Sequence, residues 1–260
     1  MHRSKQACVW LVDESLMPAG LSAADMFEQL WSLPENWVEK PNSRRGGWSA
    51  VSTHTFNGDV RTYVKRQRNH CYRAIHLFGR LIPTARREWD SLIKLKDLGI
   101  PAPEAVIYGE RRAKEGYQAV LITKALENYS NLTRALEELP SQEDRTPVIH
   151  AVVALLKRFH GSGIQHNSLS GEHIFMKNTG NGTWAAALID LEKCRRSLTP
   201  FLGSARDLAY FLSHTPKLTT QNKDFLIQEY CSGQPAEYMT RLKDKITTRC
   251  RQKSWKNPWK

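Results

Sequence analysis

Two stretches constrain this chain more than any other feature: HGSGIQHNSLSGEHIFMK (His160–Lys177) and AALIDLEKCR (Ala186–Arg195). The first follows a helical pattern, TPVIHAVVALLKRFHGSG, with Pro147 near its first position and Gly161 as its stop. A polar loop comes next, opened by His166 and closed by His173, and IFMK continues it as a short apolar strand. In the second stretch a β-like run, AAALI, delivers Asp190 at its end. Taken with the rest of the chain, the order is a β-rich first part with one helix, then a mostly helical second part that carries this loop.

The bulk properties narrow the class. With 260 residues, 40% hydrophobic and 25% charged, the chain is long enough for one large domain or two lobes. Its formal net charge of +12 points to an anionic partner such as nucleic acid, anionic lipid or a phosphorylated glycan; a solvated basic surface is the plainer alternative. The five cysteines, Cys8, Cys71, Cys194, Cys231 and Cys250, are scattered without a CxxC. That argues against a disulfide framework or a zinc site and for a reducing compartment. The N-terminal run ACVWLV is too short for a signal peptide and ends in Asp13 and Glu14. No stretch approaches the ~18 apolar residues of a membrane span. The expected location is the cytoplasm, with attachment to a membrane surface left open.

In chain order, residues 1–43 read as a peripheral arm, with Ser22 capping a short helix, AADMFEQLW, that Pro34 interrupts. GWSAVSTHTF and VRTYVKR flank the turn signal Asn57–Asp59 and predict a hairpin over 47–66. On its second strand Lys65 shares a face with Arg61 and Tyr63, pointing either into a cleft or to solvent. Residues 66–87 interleave Arg66, Arg68, Arg73, Arg80, Arg86 and Arg87 with Tyr72, Ile75, Leu77, Phe78 and Leu81. They read as a nucleic-acid patch, a membrane-surface element, or core aromatics among solvated arginines. A helix is expected over 86–98, stopped by Gly99, then two strands within 106–126, the second buried. Leu126–Asn131 reads as a hinge, and NLTRALEELP as a short helix starting near Asn131 or Thr133. Residues 203–214 open another helix. The end, RLKDKITTRCRQKSWKNPWK, is basic with Trp255 and Trp259, either a disordered tail or an interfacial anchor. The expected division is an arm over 1–43, an N-lobe over 44–127, a C-lobe over 128–240 and a basic tail over 241–260.

These elements in this order resemble the protein-kinase-like fold, and more closely the lipopolysaccharide kinases of the InaA, heptose-kinase and Kdo-kinase type, over roughly residues 40–215. The resemblance implies an α+β, bilobal architecture with a β-rich N-lobe and a mostly helical C-lobe. Lys65 in TYVKR matches the lysine that pairs with the α and β phosphates of ATP, a role suited to a flexible point charge. Glu88 in ARREWDSL matches the glutamate that orients it. His166 matches the first residue of an HxD-type motif. Asp190 in IDLEK matches the metal-binding aspartate, and Asp207 in ARDLAYF the structural aspartate that braces the loop. ATP and Mg²⁺ are the implied cofactors. The implied acceptor is a lipopolysaccharide core glycolipid at the anionic inner-membrane surface, with no nucleic-acid partner: no zinc spacing, heptad or RNA-recognition signature is visible.

Two departures bear on activity. The loop reads HNSLSGEH where the family pattern is H-x-D-x-x-x-x-N or ends in His. Ser168 therefore stands at the catalytic aspartate's place and His173 at that of the second metal ligand. A serine is no general base at neutral pH without help, and losing a base costs ~10²–10⁴ in rate. Phosphoryl transfer relies mainly on positioning and charge, so Glu172, His166 or a water could fill the role. His173 either binds a metal or hydrogen-bonds within the loop. The hairpin STHTFNGDV lacks G-x-G-x-x-G, leaving Arg44 and Arg45 as possible charge near the phosphates. Two functions remain: an ATP-dependent kinase of a core heptose or Kdo, or a pseudokinase that binds nucleotide and regulates envelope biogenesis.

Overall fold

A computed structural model describes residues 5–17, 19–44, 46–74 and 78–259. Arg45, Ile75 and Leu77, considered above for charge or packing, lie outside the described residues. The contacts divide the chain into two units. One comprises residues up to 94 and 103–126, the other 95–102 and 127–260.

The first unit is built on an antiparallel six-stranded sheet. Its strands are β1 (Lys5–Leu11), β2 (Asn42–Arg44), β3 (Gly47–Phe56), β4 (Val60–Arg68), β7 (Ala105–Ala113) and β8 (Gly116–Lys124), in the order β1-β7-β8-β4-β3-β2. A small ribbon, β5 (Cys71–Ala74) with β6 (Arg80–Pro83), leads into α2 (Thr84–Asp97), and α1 (Ala23–Trp31) follows β1. The expected hairpin is present. Asn57 and Gly58 take positive φ (51° and 83°), the geometry a tight turn between twisted strands needs. Residues 1–43 are not a separate arm. Their strand β1 pairs with β7, and Phe27 and Leu30 of α1 join Val64, Val106, Ile107, Val120 and Ile122 in one buried cluster. Each such fully buried side chain is worth about 1.5–3 kcal/mol.

Strand alternation in β4 sorts its residues to two faces. Thr62, Val64 and Arg66 are buried on the α1 face, while Tyr63, Lys65 and Gln67 turn the other way. Arg66 is no patch arginine. It is 2% exposed, and its Nη1 donates to the carbonyls of Trp31 and Leu33, both at 2.8 Å, satisfying groups at the end of α1. Trp37 lies under the guanidinium, 4.6 Å away. Arg68, Arg86 and Arg87 also stack on aromatic rings, over Trp48, Trp10 and Tyr72.

The second unit is mostly helical: α3 (Leu132–Glu137), α4 (Gln142–Gly161), α5 (Pro200–Ser213), α6 (Thr220–Cys231) and α7 (Ala236–Gln252). Between α4 and α5 run the short strands β10 (Ile164–Gln165), β11 (Ile174–Gly180), β12 (Thr183–Leu188) and β13 (Arg195–Arg196). β9 (Ser130–Asn131), in the expected hinge, pairs with β11. Helix α4 begins a turn earlier than Pro147 suggested. Ser141 caps it by accepting from the Asp144 N–H, with Glu143 and Asp144 in the first turn. The basic end is not a disordered tail. The expected boundary at 240/241 falls inside α7, whose Leu242, Ile246 and Cys250 are buried. Trp255 is packed edge-on to Tyr210 and His214. No helix of the described residues is long and apolar enough to cross a membrane.

Replacing Arg66 with Ala leaves two carbonyls unpaired. The expected loss is about 2–3 kcal/mol in urea unfolding, a drop of several degrees in Tm. Arg73→Ala, at an exposed position of the same basic stretch, is expected to stay within about 0.5 kcal/mol of the parent.

Candidate active site

Each unit holds its own part of the predicted site. In the first, Lys65 Nζ lies 2.6 Å from Glu88 Oε2, with both side chains largely shielded (16% and 10% exposed). The contact follows from the register of β4. Gln67, two residues on and on the same face, accepts from the Thr84 hydroxyl (3.0 Å) and the Ala85 N–H (2.9 Å). That pins the first turn of α2 to the strand. One helical turn later, Glu88 arrives beside Lys65. The helix starts at Thr84 rather than at 86 because Gln67 holds that turn. Trp89 and Tyr108, with ring centroids 5.8 Å apart, pack the neighbouring part of α2 against β7.

In the second unit the loop after β10 is held by Asp207 of α5, which is fully buried. Its Oδ2 accepts the His166 N–H at 2.5 Å and its Oδ1 the Asn167 N–H at 2.8 Å. Asn167, whose N–H completes the pair, takes a positive φ of 68°. His160 Nε2 stands 3.4 Å from Oδ2, off the line of a hydrogen bond. Its Nδ1 meets the Tyr230 hydroxyl at 3.0 Å, and that hydroxyl donates to Ser204. Burial alone would raise the Asp207 carboxyl. The adjacent His160 ring and the His166 N–H outweigh it and hold Asp207 below the usual carboxylate range.

Further along, Gly171 fits where a side chain would not. A Cβ there would lie 2.7 Å from Thr215 Cγ2 and 2.8 Å from Thr133 Oγ1. Its N–H donates to Thr215 Oγ1, and the loop returns through a single 3₁₀ turn, Gly171–His173, into β11.

The two loop histidines stack, centroids 5.5 Å apart. His166 is buried. Its Nε2 lies 2.9 Å from the Ile189 carbonyl, which can only accept, so Nε2 carries the proton. Its Nδ1 is then an acceptor, and Ser168 Oγ, 3.3 Å away, donates to it. Burial pushes the His166 pKa down, which keeps the ring neutral. His173 Nδ1 sits 2.6 Å from the Ser168 carbonyl and is likewise a donor. Its other ring nitrogen, Nε2, lies 3.5 Å from Asp190 Oδ2. Asp190 itself is left-handed (φ 56°, ψ 58°), a conformation that costs energy outside glycine.

The carboxylates of Asp190 and Glu192 offer oxygens within 4.8 Å of one another. Glu192 was missed at the sequence level, although two acids separated by one residue were visible in IDLEK. Gln67 and His160 were missed as well. A strand glutamine and a histidine on an apolar helix have no sequence signature distinct from ordinary core residues.

A family model for the lipopolysaccharide kinase (Kdo/WaaP) family matches residues 28–230. The chain belongs to that family. Protein InaA of Escherichia coli is 33% identical over 180 residues, covering 67% of this chain and 81% of InaA. A 3-deoxy-D-manno-octulosonic acid kinase of Vibrio parahaemolyticus is 27% identical over 208 residues, 75% of this chain and 79% of the relative. The lipopolysaccharide core heptose(I) kinase WaaP of Pseudomonas aeruginosa is 27% identical over 159 residues, 56% and 59% of the two chains. Among solved structures, WaaP in complex with acyl carrier protein superposes with a TM-score of 0.63 at 19% identity, over 95% of this chain and 98% of that one. The α+β, bilobal kinase-like fold expected from the sequence is the fold observed.

Asp207→Asn should distort the loop and cost about 2–4 kcal/mol, since an amide cannot accept both N–H groups through two oxygens. A carboxyl whose folded pKa is depressed stabilises the fold above its unfolded pKa of about 3.9 and loses that contribution as pH falls through the lower folded value. In acid titrations followed by circular dichroism, the variant should therefore lose less stability than the parent below about pH 4.

Proposed function

We propose that this member of the family is an ATP-dependent kinase that phosphorylates a heptose or Kdo sugar of the lipopolysaccharide core, working in the cytoplasm at the inner-membrane face. The observation that carries this reading is the Lys65–Glu88 contact of 2.6 Å. A strand lysine shielded from water and oriented by a helix glutamate is the arrangement that receives nucleotide phosphates in kinase-like folds. The names of the relatives, Kdo kinases and a heptose kinase, support the substrate class.

In this reading Lys65 contributes a positive point charge to the α and β phosphates, and Glu88 keeps it extended. Asp190 and Glu192 supply oxygen donors of the kind Mg²⁺ prefers. His173 Nε2, with its partner nitrogen committed to the Ser168 carbonyl, is available to a cation beside Asp190. When bound, the metal–nucleotide would supply the transferable phosphoryl group and neutralise its charge. Asp207 holds the backbone at His166 and Asn167, and so fixes where Ser168 stands. The proton of the acceptor hydroxyl has Ser168 Oγ as its nearest loop acceptor by position. That oxygen can take it only by passing its own proton to the buried, neutral His166, which burial disfavours.

The same geometry favours a second reading, a pseudokinase. Ser168 is 5% exposed, and its hydroxyl is engaged by His166. Such a chain would bind nucleotide and act as a regulator in envelope biogenesis.

Transfer of labelled phosphate from ATP to dephosphorylated core oligosaccharide separates the two readings. For the kinase, Lys65→Ala and Asp190→Ala should each lower transfer about 100-fold or more. Ser168→Asp should raise it by up to about 100-fold by restoring a carboxylate base. For the pseudokinase, Mg-ATP binds with no transfer in the parent. Absence of nucleotide binding removes both readings.

A further inference from the structure

Beside the loop, within the second unit alone, lies a cavity of about 490 Å³, a size typical of small-molecule sites. Five cationic side chains line it: Arg195 and Arg196 of β13, Arg206 of α5, and Lys245 and Arg249 of α7. Among the described residues no acidic side chain lines it. Among the described residues none of the five is in an ion pair. Crowded cations repel one another, so a fold that converges five on one cavity without a counter-charge sacrifices stability.

The cost shows at Arg249. Burial, and then the neighbouring Arg206 and Arg195, hold its guanidinium below the usual arginine range. Its Nε is buried with no hydrogen-bond acceptor, and Trp255 faces the group at 6.0 Å. Partners of the other arginines are neutral. Arg206 Nη1 donates to Asn167 Oδ1 at 3.3 Å. Gln165, with its amide oxygen turned toward the cavity, accepts from Arg195 Nε at 2.7 Å. A position in the last turn of α7 accounts for one cation, Arg249, through the helix dipole. It does not account for Arg195, Arg196 and Lys245, which are exposed and come from two different elements.

We propose that this cavity binds a multiply charged oxyanion of phosphate class, carried by the anionic acceptor that the chain phosphorylates. Planar guanidinium forks suit phosphate oxygens, and convergence from β13, α5 and α7 gives the site a fixed shape. Gln165 lines the cavity and Asn167 bonds Arg206, and these two residues flank His166. An occupied cavity thus steadies the loop on which transfer depends. Leu198, 94% exposed on the rim, places an apolar group beside the charges, as an amphipathic glycolipid would require. The oxyanion site stands on the cavity itself; its assignment to the acceptor rests on the kinase reading.

Calorimetric titration of the full chain with inorganic pyrophosphate tests the site. Arg249→Gln, and the exposed double variant Arg196→Gln/Lys245→Gln, should each weaken binding about tenfold or more. Arg73→Ala, an exposed arginine outside the cavity, should leave it within about twofold. The double variant keeps the test intact if Arg249→Gln melts early by circular dichroism. No pyrophosphate binding, or binding lost in Lys65→Ala and kept in the cavity variants, overturns the proposal. Phosphorylated core oligosaccharide and phosphatidylglycerol vesicles then identify the carrier. Oligosaccharide binding that falls in the double variant supports the acceptor, whereas dependence confined to vesicles overturns that assignment in favour of a lipid headgroup. If pyrophosphate binds through Arg249 while ATP does not bind at all, the kinase reading fails and the oxyanion site remains.

Discussion

The buried carboxylate of Asp207 is the constraint from which the candidate site follows. A charge taken out of water must be met by donors, and here the donors are the two consecutive backbone N–H groups of His166 and Asn167. Meeting both N–H groups with one carboxylate fixes the start of the loop. With the start fixed by α5 and Gly171 wedged between Thr133 and Thr215, the segment between them has little freedom. The two histidines stack because both ends of the loop are held. Each is then assigned a tautomer by a carbonyl, Ile189 for one and Ser168 for the other. A single ionised group thus sets backbone geometry, and through it the proton positions two residues away.

This arrangement explains how a serine can stand at position 168 without dismantling the loop. The bonds that shape the loop are made by backbone atoms, by Asp207 and by the histidines. Ser168 contributes a carbonyl to His173 and a hydroxyl to His166. Loop architecture and general-base strength are therefore separable properties. On the kinase reading proposed above, the chain keeps the first, while a hydroxyl at position 168 is a weaker base than a carboxylate.

Charge is likewise distributed by role rather than by sequence density. The arginine-rich run at 66–87 looked like the natural seat for an anionic partner. Yet Arg66 closes the end of α1, and Arg68, Arg86 and Arg87 lie over aromatic rings. The unpaired concentration of cations is found where β13, α5 and α7 meet, drawn from residues 195 to 249. No local window reveals it, since its members are dispersed along the chain and each looks like an ordinary surface cation in sequence.

Local patterning was enough to specify many of the elements and their order, though not β1, the β5–β6 ribbon or the separate helices α6 and α7. The Asn57–Asp59 turn, the alternation in β4, the glycine stop after α4 and the apolar run ahead of Asp190 are each written in a few adjacent residues, because turn chemistry and side-chain period act over short distances. Matching those elements to a known family also indicated Lys65, Glu88, Asp190 and Asp207. The limits of that approach are equally local. Residues 1–43 read as an arm because the pairing of β1 with β7 joins segments about a hundred residues apart, and α7 read as a tail because its buried face is defined by α5. Tertiary structure alone decided that Gln67 sets the position of Glu88 and that five separated cations share one cavity. Such juxtapositions arise from packing between distant segments, and a linear pattern carries no record of them.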